Sequence, residues 1–198
     1  MLADSLNRYR IILASGSPRR KQLLEEMGLK FEVIITSIPE EGPPELEGRE
    51  LAMHLAAEKA RILKPGLKKT DIVIAADTIV WCNNMLLGKP VGTDEAAEML
   101  RCISGRTHEV ITGVCIMTSD KEILFSDSTK VTFGKLTDEE IHYYIDNYKP
   151  YDKAGAYGIQ EWIGYIGCSR IEGSYFNVMG LPVQRLYREL QRLAGGER

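Results

Sequence analysis

The chain has 198 residues, of which 44% are hydrophobic and 27% charged, with a formal net charge of −3. That length suits a single domain, residues 1–198, around one sizeable core. The acidic balance argues against a general binder of duplex nucleic acid, which is more often basic.

The opening residues Met1 to Arg8 hold no signal-peptide apolar core. No apolar run approaches the roughly 20 residues of a membrane-spanning helix. A cytoplasmic protein with neither a membrane nor a stable nucleic-acid partner is expected. Cys82, Cys102, Cys115 and Cys168 form no Cys-x-x-Cys pair. This argues against structural zinc and fits a reducing compartment.

In chain order, Arg10 to Ala14 reads as a short buried strand that ends at Ser15-Gly16-Ser17. Pro18 suits a first helical position, Arg19 to Met27 reads as a helix, and Gly28 closes it. A second strand is expected over Phe31 to Thr36, then a loop rich in proline and glutamate from Ile38 to Gly48. Arg49 to Leu63 has helical spacing. Asp71 to Val80 is a near-continuous apolar run, the mark of a central buried strand. Asn83-Asn84 suits a hairpin turn. Thr93 is expected to cap a helix reaching Ile103. Thr107 to Met117 and Ile123 to Phe133 read as two strands joined at Ser119-Asp120-Lys121. Thr137-Asp138-Glu139-Glu140 is a capping box for a helix to about Tyr148. Tyr165 to Ile171 reads as a strand, and Pro182 starts a final amphipathic helix. Strands and hairpins interspersed with helices predict an α/β fold with a mixed sheet flanked by helices.

Five stretches can carry chemistry. In Ala14-Ser15-Gly16-Ser17-Pro18-Arg19-Arg20, a strand runs through a small-residue turn into a helix N-terminus, where unpaired N–H groups attract anions. An ordinary capped helix with solvated arginines is the plainer reading, and both the Walker and Rossmann glycine patterns are absent. Asp77-Thr78 lies inside the apolar run, where a carboxylate is costly unless paired or bound to metal. A turn or capping aspartate is the alternative. Glu40-Glu41, with Lys59 on the next helix, could serve a hard cation or simply be a solvated face. Lys89 of Gly88-Lys89-Pro90 could meet a phosphate or be exposed. In Tyr151 to Gln160 the small residues permit close approach, and Gln160 can both donate to and accept from a base edge. His54, His108 and His142 show no metal-ligand spacing. With no nucleophile elbow in the sequence, attack by activated water is favoured over a covalent intermediate.

Six segments together resemble the Maf family of nucleoside triphosphate pyrophosphatases. They are L-A-S-G-S-P-R-R (13–20), A-D-T-I-V (76–80), G-K-P (88–90), S-G-R-T-H-E-V-I-T-G-V (104–114), D-K-A-G-A-Y-G-I-Q (152–160) and G-S-Y-F-N-V-M-G-L-P (173–182). The resemblance implies an elongated, twisted mixed sheet like that of inosine triphosphate pyrophosphatases, with a cleft between two lobes. It implies hydrolysis of a nucleoside triphosphate to the monophosphate and pyrophosphate, a role in removing unwanted nucleotides, and a link to arrest of septum formation. Asp77 matches the proton acceptor. Arg19, Thr78 and Gln160 match the positions that mark substrate choice, in the combination of the dTTP and UTP subfamily. Ser15, Arg20, Lys59, Lys89 and Lys153 would contact substrate. Asp77 and Glu40, or Glu41 in its place, would hold Mg²⁺ or Mn²⁺. A homodimer is implied as well. The alternatives are a pyrophosphatase for modified or purine nucleotides such as 7-methyl-GTP, or a non-catalytic nucleotide-binding regulator of septum formation. One departure stands out: Glu161-Trp162 follows Gln160, where the family usually has glycine.

Overall fold

A computed structural model describes residues 2–36 and 42–195. The described helices are α1 (Leu2–Leu6), α2 (Pro18–Glu26), α3 (Gly48–Arg61), α4 (Thr93–Ile103), α5 (Asp138–Tyr148), α6 (Trp162–Gly167), α7 (Tyr175–Met179) and α8 (Val183–Gly195). The strands are β1 (Arg10–Leu13), β2 (Glu32–Val33), β3 (Asp71–Cys82), β4 (Met85–Leu87), β5 (Thr107–Met117), β6 (Glu122–Phe133) and β7 (Cys168–Glu172). The sheet runs β2-β1-β3-β5-β6-β7, and β4 pairs with β3 off that path. β1 is parallel to both β2 and β3, whereas β3–β4 and β6–β7 are antiparallel. The sheet is therefore mixed, as expected of an α/β fold.

The chain forms two compact units. The first comprises Met1–Asp77, Thr112–Asp127 and Gly180–Arg198, and the second Thr78–Ile111 and Ser128–Met179. The three long strands β3, β5 and β6 each contribute to both.

In the first unit, α3 packs on one sheet face. Ala56 and Ala60 of α3 join Ile12, Ala14, Val73, Ala75, Cys115 and Met117 in one buried cluster. The strand members are alternate residues, as a period of two requires. Small side chains bring α3 close to the sheet. At Gly113 on β5 an added Cβ would lie 2.2 Å from the Ala52 carbonyl group, so only glycine fits there without a shift. The amphipathic α8 buries Leu186, Leu190 and Ala194, and α1 docks beside it, with Arg8 donating to the Ala194 carbonyl at 3.1 Å.

In the second unit, Phe133, His108 and Tyr157 meet edge-on with centroids 5.0–5.5 Å apart. The favoured geometry of such pairs adds to what burial alone contributes. The Tyr157 hydroxyl and His108 Nε2 share a 2.7 Å hydrogen bond.

Most predicted elements match within a few residues. Asn83 and Asn84 take positive φ in the β3–β4 hairpin. Three expectations need correction. The Phe31 to Thr36 strand shrinks to Glu32–Val33, with Ile34 N–H adding one more bond to Leu13. Thr93 is the first helical residue and the extended Gly92 is the cap, and the Thr93 hydroxyl is bonded to that of Tyr151 at 3.1 Å. The Tyr165 to Ile171 strand is helix as far as Gly167 and strand only from Cys168.

Candidate active site

In the first unit, the turn after β1 is built from the serines that lie in the sequence motif. Ser17 caps α2, its hydroxyl accepting from Arg20 N–H, and Pro18 follows in the first turn. The Ser15 hydroxyl, nearly buried, accepts from Ser17 N–H at 3.2 Å and from the Arg20 guanidinium at 3.2 Å. Arg20 also donates through Nε to the Gly180 carbonyl at 2.8 Å. Arg20 therefore braces the turn from inside. Desolvation lowers its affinity for a proton, the adjacent Arg19 lowers it further, and Asp77 works in the opposite direction. The field of Asp77 thus reaches this turn. Arg19 itself is half-exposed.

Asp77 continues the alternation of Val73 and Ala75 along β3 and lies on the face that α3 covers. Lys59 follows Ala56 by three residues, one turn further along α3. Strand and helix periodicity bring ammonium and carboxylate together, and Lys59 Nζ donates to Asp77 Oδ1 in an ion pair. Both side chains are largely shielded, at 15% and 17% exposed. The pairing meets the demand that a carboxylate in an apolar strand have a partner. Asp77 lies inside β3, which runs on to Cys82. The stretch of β3 turns from fully buried to half-buried at Asp77 and Thr78, and this opening, rather than a strand terminus, gives the carboxylate access to solvent.

In the second unit, Thr78 is half-buried and Lys89 exposed. Gly155 N–H donates to the Gly88 carbonyl at 2.9 Å, which lays the Gly88-Lys89 segment beside the 152–160 segment. Gly155 has φ +67°, and a Cβ there would sit 3.1 Å from the Val80 methyls. Lys153 is nearly buried and ion-paired with Asp152 at 2.7 Å and Glu161 at 3.2 Å. Gln160 is half-buried, and its side-chain carbonyl oxygen is buried with no hydrogen-bond partner among the described residues.

Glu40 and Glu41 lie outside the described residues. Among the described residues no three His, Cys, Asp or Glu side chains gather as a metal site. One hard carboxylate, Asp77, is still a donor set that Mg²⁺ can use, since this ion commonly takes one or two carboxylates and completes its shell with phosphates and water.

Sequence reasoning missed Gly180, whose backbone carbonyl no side-chain pattern reveals. It also gave no role to Tyr144 or Glu161. The departure at Glu161 was the available signal. No helix among the described residues is long and apolar enough to cross a membrane.

A protein from Parabacteroides distasonis named dTTP/UTP pyrophosphatase is 52% identical over 191 residues, covering 96% of this chain and 99% of its own length. One of the same name from Phocaeicola vulgatus is 53% identical, covering 97% and 100%. Among solved structures, the Ham1 protein of Staphylococcus aureus is 15% identical, covers 92% of this chain and 98% of its own, and superposes with a TM-score of 0.46. The family model described as Maf-like protein matches residues 10–193, and the chain belongs to that family.

Proposed function

We propose that the protein hydrolyses dTTP and UTP to the monophosphate and pyrophosphate. The observation that carries this reading is the Asp77–Lys59 pair, set where β3 becomes accessible and within the field of the arginine-bearing turn. The names of relatives about half identical over nearly the whole chain support the substrate.

In this reading the turn after β1 and Arg19 neutralise the triphosphate, with Arg20 and Ser15 holding the turn in shape. Lys59 occupies Asp77 Oδ1 and fixes the rotamer, and Oδ2 is then directed to take a proton from the attacking water. That water attacks phosphorus with loss of a proton to Asp77, the α–β phosphoanhydride breaks, and its electron pair leaves with pyrophosphate. Asp77 and the substrate phosphates would hold a divalent cation such as Mg²⁺ or Mn²⁺. When bound, the cation neutralises phosphate charge and acidifies water. Lys89 would supply a point charge to the phosphates, and Thr78 and Gln160 would read the base. The buried side-chain oxygen of Gln160 supports that role, because the Watson–Crick edge of thymine or uracil offers an N–H donor where cytosine offers an acceptor.

The test is pyrophosphate release from dTTP, UTP, CTP and 7-methyl-GTP, with Mg²⁺ or Mn²⁺ added. Release favouring dTTP and UTP is expected. A preference for 7-methyl-GTP would reassign the substrate, and no release from any of the four would end the enzymatic reading.

A further inference from the structure

Glu161 stands one residue beyond Gln160 and is engaged on both carboxylate oxygens. Oε2 accepts the hydroxyl of Tyr144, a wholly buried residue of α5. Oε1 faces the Lys153 ammonium at 3.2 Å. The Tyr144 oxygen in turn accepts Gly158 N–H at 3.0 Å. The backbone at Gly158 is pressed against the same carboxylate, where an added Cβ would lie 2.7 Å from Glu161 Cδ. Beyond Glu161, a Cβ at Gly164 would lie 2.0 Å from the Ile159 carbonyl oxygen. Gln160 is therefore held between positions pinned on both sides, with its amide oxygen buried and lacking a partner among the described residues.

The charges point the same way. Lys153, with 8% of its side chain exposed, faces the two carboxylates of Asp152 and Glu161. Lys153 is thereby tied to the same carboxylate that holds the Tyr144 hydroxyl.

We propose that Glu161, through Tyr144 and Lys153, is a positioning residue that presents the Gln160 amide to a pyrimidine base and so sets base discrimination. This deepens the proposed function and rests on it. The clamp acts on the base end of the substrate, so its loss weakens nucleotide recognition more than bond cleavage.

The test compares kcat and KM for dTTP, UTP and CTP in the wild type and in Glu161→Gln, which keeps an acceptor for Tyr144 and removes the charge facing Lys153. The expected result is a rise of about tenfold in KM for dTTP and UTP, a smaller fall in kcat, and a fall of about tenfold in the preference for dTTP over CTP. Unchanged KM and preference in folded Glu161→Gln would overturn the proposal. So would a fall in kcat alone with preference intact, the pattern of mere structural support. Tyr144→Phe and Gly158→Ala disturb the same carboxylate from its other contacts and must shift preference in the same direction. They decide the matter if Glu161→Gln does not fold. A wild type that releases no pyrophosphate would defeat the functional reading separately. The clamp is then judged by calorimetric titration with UMP, where weaker binding to Glu161→Gln supports it, and equal binding or none to the wild type overturns it.

Discussion

Replacing His108 with glutamine should flatten the acid sensitivity of the protein. His108 is 2% exposed, and burial pulls its pKa down from 6.5 to about 4. Its Nε2 is bonded to the Tyr157 hydroxyl, and its Nδ1 is buried with no partner among the described residues. A proton added to the folded ring would create a buried charge with no counterion. The sign follows from linkage. Above pH 6.5 the imidazole is neutral in both folded and unfolded chains and the stability is fully present. As pH falls below 6.5 the unfolded chain takes the proton first, and stability drains away until the folded pKa is passed. The loss from this residue is about 2 kcal/mol at pH 5 and about 3 kcal/mol at pH 4. Glutamine can still accept from Tyr157 but does not titrate. Urea unfolding of both proteins at pH 7, 6, 5 and 4 isolates the effect, because other titrating groups cancel in the difference. The variant should start out less stable at pH 7 and lose about 2 kcal/mol less than the wild type by pH 5. Parallel pH profiles would show instead that the ring reaches solvent or a counter-charge.

Further outcomes follow from the same contacts. Gly113→Ala should lower stability by about 3 kcal/mol, read by thermal unfolding, because its methyl group would meet the Ala52 backbone and not a movable side chain. Lys59→Met keeps the stem and removes the ammonium from Asp77; turnover should fall about 100-fold in a folded protein. Arg20→Lys loses the planar fork that ties Ser15 to the Gly180 carbonyl, and KM for dTTP should rise about tenfold. Arg19→Ala and Gln160→Ala should each shift the dTTP:CTP preference more than Asp77→Asn does, in a comparison of kcat/KM.

Where local chemistry decides an element, the sequence was a good guide. The Thr137-to-Glu140 box closes on itself as predicted, with both reciprocal bonds formed. β5 occupies the predicted span, and the serines and proline of the Ser15–Arg20 turn fix the start of α2. The failures come where distant groups override local preference. Tyr165-Ile166 has strand-like composition, yet the segment is helical because Gly164 packs on the Ile159 carbonyl and draws the chain round. The residue that caps this helix, Glu161, makes no side-chain cap bond; its carboxylate is spent on Tyr144 and Lys153. No N-terminal signature could have marked the helix. The site shows the same division. Asp77 and Lys59 were each singled out, but Lys59 was set beside the Glu40-Glu41 loop, and its pairing with Asp77 appears only in the fold. The inward role of Arg20 was likewise hidden, because it depends on a carbonyl at Gly180, 160 residues away.

Whether Asp77 drives cleavage of the α–β bond is read by following dTTP with phosphorus NMR in the presence of Mg²⁺, using wild type and a folded Asp77→Asn variant. The wild type should give dTMP and pyrophosphate, and the variant a rate at least about 100-fold lower. Formation of dTDP and orthophosphate, or equal rates from the two proteins, would rule out that role for Asp77.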